Sequence, residues 1–311
     1  MFPDFLTSAV VERPAESSNF GSGIFVISIG GSLLYKEGVI NSEAVRQIAD
    51  SINSLQSSGY KFALVIGGGV LARDFVETSK ALGASNFELD EIGIAATRLN
   101  AQLFIQALGN SFREVLTDIK KAKTIIDSGK IPVFGGLIPG VTTDFDAALL
   151  AEYLGGTFIN LSNVNGIYGS NPRDNPDAVL YRELSYDALI KILMKEESKP
   201  RQNLVLDIPA ALILKRSKIT GFFLNGSNLR NFESAVRGES FDGTIVSPTG
   251  QVDASEIPDA EETAPEEQGS EETGIQKPKK KRKPSAKSPA KRKKKDNDDD
   301  PDIIAMRLRM H

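Results

Sequence analysis

Two short glycine-rich segments are the first places in the sequence where a phosphate could bind. Gly30-Gly31-Ser32 follows one apolar run of residues, and Gly67-Gly68-Gly69 follows another. Because glycine has no Cβ and accepts positive φ angles, its backbone N–H groups can come close to a phosphate. Arg73 follows the second segment, where it could share an anion with a helix N-terminus or simply be a solvated side chain. Each segment alone is also typical of a simple turn, so phosphate binding is a hypothesis at this point.

The amino-acid composition removes several other kinds of chemistry from this chain. It has no cysteine, and its one histidine is the last residue, His311. Disulfides, thiolate nucleophiles, Ser-His-Asp triads and zinc sites built from His or Cys are therefore excluded. The phosphate motifs Gly-x-x-x-x-Gly-Lys-Ser/Thr and Gly-x-Gly-x-x-Gly are also absent. Phosphoryl transfer suits what remains, because it needs mainly positioning and charge neutralisation by side chains, backbone amides and Mg²⁺.

Short apolar strands that end in glycine or small polar residues alternate with helices between residues 21 and 250. Buried strands are predicted at 25–29, 62–66, 131–134, 157–161, 221–224 and 243–246. Helices are predicted at 42–56, 70–82, 88–108, 117–128, 144–154, 185–195, 209–216 and 232–237. This alternation indicates an α/β fold with a mostly parallel central sheet covered by helices on both faces. Ligands of such folds bind beyond the carboxyl ends of the strands, which is where the glycine segments fall.

The charged residues divide the chain into unlike parts. There are 37 basic and 41 acidic side chains, for a net charge of −4, but residues 253–272 are acidic, 277–295 basic and 296–302 acidic again. Segments of this kind have little apolar surface to bury. We therefore predict a flexible N-terminal extension at 1–20, one domain at 21–250 and a disordered tail at 251–311.

The basic block at 277–295 allows two interpretations. It could contact nucleic acid without sequence preference by neutralising phosphates, or it could be a solubilising segment that the acidic block partly neutralises. It also resembles a bipartite nuclear import signal, which has a meaning only if the host cell has a nucleus. Residues 1–20 lack the features of a signal peptide, and no apolar run reaches the ~18 residues of a membrane span. We expect a cytoplasmic protein without membrane contact.

Several segments, in order and spacing, carry a family resemblance. They are Ile29-Gly30-Gly31-Ser32, Val65-Ile66-Gly67-Gly68-Gly69, Asp90-Glu91-Ile92-Gly93-Ile94 with Thr97-Arg98-Leu99-Asn100-Ala101, Pro132-Val133-Phe134-Gly135-Gly136, Thr142-Thr143-Asp144, Ser162-Asn163-Val164-Asn165-Gly166-Ile167-Tyr168 and Arg216-Ser217-Lys218-Ile219. The set resembles the amino acid kinase family and, within it, the archaeal-type UMP kinases. The resemblance implies a three-layer α/β/α sandwich, commonly a homohexamer. It also implies transfer of the γ-phosphate of ATP to UMP with Mg²⁺, a step of pyrimidine nucleotide biosynthesis.

The same resemblance assigns roles to individual residues. On the ATP side it places Ser28, Ile29, Gly30, Gly31, Ser32, Gly69, Arg73, Ser162, Asn163, Tyr168 and Asn171. On the UMP side it places Gly68, Asp90, Leu137, Ile138, Pro139, Gly140, Val141, Thr142 and Thr143. Asp144 and Lys215 are the candidate catalytic residues, and no residue is assigned as a metal ligand. The alternatives are that Asp144 is only a helix N-cap, Tyr168 only a packed aromatic and Thr142-Thr143 only a turn.

The sequence departs from the family pattern where positive charge is expected. Ser28 stands where the wider family typically has lysine, and Leu212 stands where a second lysine is usual. Lys215 follows Leu212 at i+3 on roughly the same helix face, and we expect it to take over that function. Asn165 and Asn171 replace two common aspartates. An impaired member that binds nucleotides or oxyanions is therefore an alternative, and a carboxylate kinase is a third possibility.

Overall fold

The structure, a computed structural model, describes residues 23–257 except 171, 173–174, 176 and 198–204. The predicted N-terminal extension, the tail from residue 258 onward with its basic block, and Asn171 lie outside the described residues. The strands are β1 Ile24–Ile29, β2 Tyr35–Lys36, β3 Val39–Ile40, β4 Lys61–Ile66, β5 Ser111–Leu116, β6 Ile131–Phe134, β7 Thr157–Ser162, β8 Ile167–Tyr168, β9 Leu180–Tyr181, β10 Glu183–Leu184, β11 Gly221–Asn225 and β12 Thr244–Val246. The α-helices are α1 Ser42–Ser57, α2 Gly69–Ala81, α3 Asn86–Ala107, α4 Lys121–Asp127, α5 Thr143–Leu154, α6 Tyr186–Glu197, α7 Ile208–Arg216 and α8 Leu229–Arg237.

Eight of these strands form one sheet in the order β10-β12-β11-β7-β1-β4-β6-β5. The pairs are parallel except β11 with β12, which is antiparallel. The predicted α/β class with a mostly parallel sheet is thus confirmed. Parallel strands bring their carboxyl ends to one edge, so the loops that follow β1, β4, β6 and β7 meet there.

Hydrophobic cores on the two faces of the sheet make a three-layer sandwich. Alternate residues of β1 point to opposite faces, with Val26 in one core and Phe25 and Ile27 in the other. Helices α4, α5, α6 and α7 cover the first face, and α1, α3 and α8 cover the second. Because each central strand is buried on both sides, the sequence shows continuous apolar runs there.

Two elements near residue 115 differ from the sequence prediction. Strand β5 was not predicted, because it lies at the edge of the sheet and only its end residues Ser111 and Leu116 are buried. The helix predicted at 117–128 begins only at Lys121. Asp118 accepts a hydrogen bond from the Lys120 N–H at 2.9 Å, which fixes a turn before the helix.

Ordered structure continues past residue 250. The backbone of Val252 bonds to Glu183 at 3.2 Å and to Ser185 at 3.0 Å, and Ile257 is buried in the core that contains α6. Among the residues described, no helix is both long and apolar enough to cross a lipid bilayer.

Candidate active site

The two glycine segments predicted from the sequence pack directly against each other. A Cβ on Gly31 would lie 2.1 Å from the Gly69 nitrogen and 2.7 Å from the Gly67 carbonyl carbon. Gly69 has φ +61°, and a Cβ there would lie 2.4 Å from the Gly31 oxygen. Only glycine permits this backbone approach, so the loops after β1 and β4 form one surface.

Asn100 of α3 holds this glycine surface from behind. Its Nδ2 donates to the Gly67 carbonyl at 2.8 Å and to the Gly68 carbonyl at 3.0 Å, while its Oδ1 accepts from the Tyr35 hydroxyl at 2.9 Å. Sequence reasoning gave Asn100 no role of its own. The available signal was a small polar residue on the buried face of a helix, which requires hydrogen-bond partners.

Asp144 lies at the centre of the site, in the first turn of α5. Its Oδ1 accepts hydrogen bonds from the Ser28 hydroxyl at 2.6 Å and from Asn160 Nδ2 at 3.0 Å. Ser28 and Asn160 are register partners on β1 and β7, so the sheet itself places both donors. Burial raises the pKa of Asp144 to about 6 despite these bonds. The N-cap of α5 is Thr142, whose hydroxyl accepts from the Phe145 N–H at 3.2 Å. Asp144 is therefore not the residue that caps this helix.

Asp207 approaches the same place from the N-terminus of α7. Its Oδ1 caps the helix by accepting from the Ala210 N–H at 2.7 Å, and its Oδ2 accepts from the Thr142 hydroxyl. The negative charge of Asp207 contributes to the raised pKa of Asp144. Asp207 was not among the predicted site residues, although an Asp two residues before a proline is a recognisable helix start.

Asn160 uses only one end of its side-chain amide. Within the part of the chain that the structure describes, its Oδ1 is buried and makes no hydrogen bond, while its Nδ2 donates to Asp144 and to the Val205 carbonyl at 3.3 Å. A buried polar atom without a partner in a folded protein usually has a ligand, water or ion. An amide oxygen beside carboxylates is the kind of donor that a hard cation such as Mg²⁺ accepts.

The predicted UMP loop, residues 137–143, joins β6 to α5 at the same edge of the sheet. The Gly140 N–H donates to Asp90 Oδ2 at 2.9 Å, so a carboxylate of α3 fixes the middle of the loop. The loop's far end is tied to Asp207 through Thr142. Its side chains are half-buried or exposed, and Ile138 is 54% exposed. The structure thus brings this loop together with Asp90 and Asp144, as the resemblance implies.

The predicted ATP side follows β7. The Ser162 hydroxyl accepts from the Val164 N–H at 3.4 Å, Asn163 is exposed, and Tyr168 is half-buried in β8. Asn165, one of the departures from the family pattern, accepts through Oδ1 from Asn225 Nδ2 at 2.9 Å. Arg73 is exposed, near the N-terminal end of α2.

Lys215, a candidate catalytic residue, forms its ion pair away from this group. It lies in the last turn of α7, and its Nζ forms an ion pair with Asp187 of α6 at 2.5 Å. The N-terminal end of α7, where Asp207 lies, is the end near the site. Lys215 is about 12 Å from Asp207 along the helix axis, at 1.5 Å per residue. An i+3 step keeps the helix face but moves the side chain along the axis, so the spacing alone does not bring Lys215 to the site.

The chain is similar to known proteins over most of the part that the structure describes. A model of the amino acid kinase family matches residues 23–225. The uridylate kinase of Archaeoglobus fulgidus is 40% identical over 222 residues, covering 71% of this chain and 98% of that protein. The uridylate kinase of Methanocaldococcus jannaschii is 34% identical over 225 residues, covering 71% and 98% respectively.

Solved structures give the same result. The crystal structure of the uridylate kinase from Archaeoglobus fulgidus has 39% sequence identity and a TM-score of 0.64, covering 72% of this chain and 99% of that chain. The UMP kinase of Bacillus anthracis is 24% identical with a TM-score of 0.62, a likeness that extends to the fold alone. By the family model over residues 23–225 and the identity to curated relatives along nearly their whole length, the chain belongs to the amino acid kinase family.

Proposed function

We propose that this protein transfers the γ-phosphate of ATP to UMP and so produces UDP and ADP. The observation that carries the proposal is the convergence of two glycine segments and the 137–143 loop around Asp144. One side offers backbone N–H groups to phosphates, and the other offers a separate loop for a phosphate acceptor. The similarity to uridylate kinases over nearly their whole length supports UMP as that acceptor.

The donor side would be formed by the first glycine segment and the loop after β7. The residues proposed to hold ATP are Ser28, Ile29, Gly30, Gly31, Ser32, Gly69, Arg73, Ser162, Asn163, Tyr168 and Asn171. Backbone N–H groups near Gly31 would stabilise negative charge as it develops on the transferring phosphate. Asn100 keeps these groups in place through the second glycine segment, so the charge meets donors that need no rearrangement.

The acceptor side would be formed by Gly68, Asp90, Leu137, Ile138, Pro139, Gly140, Val141, Thr142 and Thr143. Asp90 already holds Gly140 through Oδ2, which leaves Oδ1 to accept from a ribose hydroxyl. Asp144 lies between the two sides. Its contact with Ser28 of β1 ties the donor strand to the helix that follows the acceptor loop.

Positive charge is needed at this site, because Asp144 and Asp207 lie close together and a bound phosphate would add further negative charge. The buried Oδ1 of Asn160 beside Asp144, which has no partner among the described residues, fits a divalent cation that enters with the nucleotide. Mg²⁺, when bound, would neutralise charge on the phosphate oxygens. We do not retain Lys215 in this role, because its ammonium pairs with Asp187 at the far end of α7.

We further propose that copies of the chain associate and act in pyrimidine nucleotide synthesis in the cytoplasm. Helices α2 and α3, which follow each other in the chain, pack on each other. Large apolar side chains here are exposed, with Phe75 58%, Leu82 84%, Phe87 61% and Leu99 65% accessible. Surfaces of this kind usually mark contacts between subunits, and a homohexamer is the family's common form. A nucleic-acid or import role for 277–295 concerns residues outside the described ones.

The test is a coupled ADP-release assay on the full chain with Mg²⁺-ATP. UMP should stimulate ADP release, while N-acetylglutamate and aspartate should not, which separates a nucleotide kinase from a carboxylate kinase. Thermal unfolding with each nucleotide is measured in parallel. If UMP and ATP raise the melting temperature but no acceptor stimulates ADP release, the protein binds nucleotides without transferring phosphate and the proposal is wrong.

A further inference from the structure

Asp146 is a buried carboxylate that the proposed chemistry does not use. It lies two residues after Asp144 on α5, and only 2% of its surface is exposed. It is the one charged residue in the buried class among those that the structure describes. Alanines occupy the next two positions, Ala147 and Ala148, and both are fully buried. An apolar side chain would satisfy the packing here, so the carboxylate needs another explanation.

Keeping a carboxylate at this position carries a free-energy cost. Burial, together with the negative charge of Asp207, raises the pKa of Asp146 to about 6. The Leu137 N–H and the positive charge of Arg98 act in the opposite direction and offset part of that effect. A buried charged group that is kept despite this cost in free energy usually holds a particular part of the structure in one position.

The side-chain hydrogen bond that the structure gives Asp146 goes to the acceptor loop, where its Oδ2 accepts from the Leu137 N–H at 3.0 Å. The N–H of Asp146 makes the first backbone bond of α5, to the Thr142 carbonyl at 3.1 Å, as any residue at this position would. Leu137 is the first residue of the loop and Thr142 is near its end. The carboxylate of Asp146 therefore ties the start of the loop to α5, the helix at the end of the loop.

Arg98 of α3 holds the beginning of the same loop from the other side. Its Nε donates to the Gly136 carbonyl at 3.2 Å and its Nη2 to the Leu137 carbonyl at 3.4 Å. The Gly136 N–H donates to Thr97 Oγ1 at 2.6 Å. The N–H and C=O groups at the start of the loop are thus fixed by side chains of opposite charge on α3 and α5.

We propose that Asp146 is a positioning residue for the phosphate acceptor, which sets the shape of the 137–143 loop through Leu137. The assignment rests on the proposed function, because it takes this loop to be the UMP site. It predicts that a change at Asp146 weakens UMP binding and leaves ATP binding as it was. A carboxylate that only stabilised the fold would affect both nucleotides alike.

The experiment compares the full-length wild type with Asp146→Ala, Asp146→Asn and Asp50→Asn. Asp50 is an exposed residue of α1 and serves as the matched control for losing one aspartate. KM for UMP, KM for Mg²⁺-ATP and kcat are measured, and the Kd for UMP alone is measured by calorimetry, because KM need not equal Kd.

Loss of one hydrogen bond should raise KM and Kd for UMP about tenfold in Asp146→Ala. Asparagine keeps an oxygen for the Leu137 N–H, so Asp146→Asn should restore most of the affinity, to within about threefold of wild type. KM for ATP should stay at the wild-type value in both variants. If Asp146→Ala does not fold, Arg98→Gln is used instead, because it removes a hydrogen bond to the same loop residue, Leu137. It should raise KM and Kd for UMP and leave KM for ATP unchanged.

Equal changes in the ATP and UMP constants, or no change in either, would overturn the assignment. A fall in kcat with both KM values unchanged would also overturn it. A wild type without UMP-dependent turnover and without calorimetric UMP binding would instead refute the proposed function, so the two failures can be told apart.

Discussion

Replacing Asp144 by asparagine should make the protein more stable near neutral pH and should abolish its UMP-dependent turnover. The asparagine side chain keeps an oxygen that can accept from Ser28 and Asn160, so the packing and both hydrogen bonds survive. What the substitution removes is a negative charge that burial destabilises. A group whose role was only structural would lose stability, rather than gain it, on such a change.

The size of the gain follows from the pKa of Asp144, which folding raises from 3.8 to about 6. This rise in pKa corresponds to a difference of ~3 kcal/mol between the charged and neutral forms, which is the upper limit of the gain in the free energy of unfolding. For a domain of this size, each kcal/mol changes the melting temperature by roughly 2–4 °C, so the gain should be several degrees, with an upper limit of about 6–12 °C. Turnover should fall at least about a hundredfold, as when one preorganised charge interaction is lost.

The pH dependence gives the sign of this effect an independent check. Because the folded state binds the Asp144 proton more tightly than the unfolded chain, the contribution of this carboxyl to stability is greatest below pH 3.8 and is lost as the pH rises through about 6. An asparagine side chain stays neutral throughout. The gain in stability of Asp144→Asn over wild type should therefore be complete at about pH 7.5 and should vanish near pH 4.

The assay is calorimetric unfolding of wild type, Asp144→Asn and the control Asp50→Asn across that pH range, with ADP release measured on the same samples. A melting-temperature difference for Asp144→Asn that stays constant with pH would refute the electrostatic reasoning. Turnover of that variant at the wild-type rate would refute the functional assignment.

Three other substitutions test the arrangement of the site. Gly31→Ala should cost at least about a hundredfold in turnover and lower the melting temperature, because its Cβ would lie 2.1 Å from the Gly69 nitrogen; an active, stable variant would show that the two loops do not meet as described. Asn100→Ala should lower the free energy of unfolding by about 2 kcal/mol, since two carbonyls lose their donor, and should slow turnover; denaturant unfolding with unchanged stability would contradict this. Lys215→Ala should leave kcat within about twofold of wild type and change the free energy of unfolding by less than ~1 kcal/mol, because the ion pair with Asp187 is exposed. A large loss of kcat would show that Lys215 acts in the site after all.

The central strands and the glycine surface could be predicted from the sequence because their causes are local. Apolar runs such as 25–29 and 62–66 end at glycines, and that pattern alone gives buried parallel strands followed by tight turns. Strand β5 could not be predicted in the same way, since it lies at the edge of the sheet and the exposed residues Arg113 and Glu114 interrupt its apolar pattern.

The side chains that complete the site were not predictable because their partners are distant in sequence. Asn160 is recognisable only once β7 lies beside Ser28 of β1, and Asp207 only once α7 begins beside Thr142. The position of Lys215 could not be predicted for a geometric reason, because helical periodicity specifies the face of α7 but not which of its ends lies at the site.

The most direct test of the central claim follows the phosphate itself. The full chain is incubated with Mg²⁺ and ATP that carries radioactive phosphorus in its γ position, with UMP present or absent, and the nucleotides are separated by anion exchange. The label should pass from ATP to UDP only when UMP is present, and Asp144→Asn should not transfer it. Label that remains in ATP, or appears only as free phosphate in the presence of UMP, would contradict the assignment of this protein as a UMP kinase.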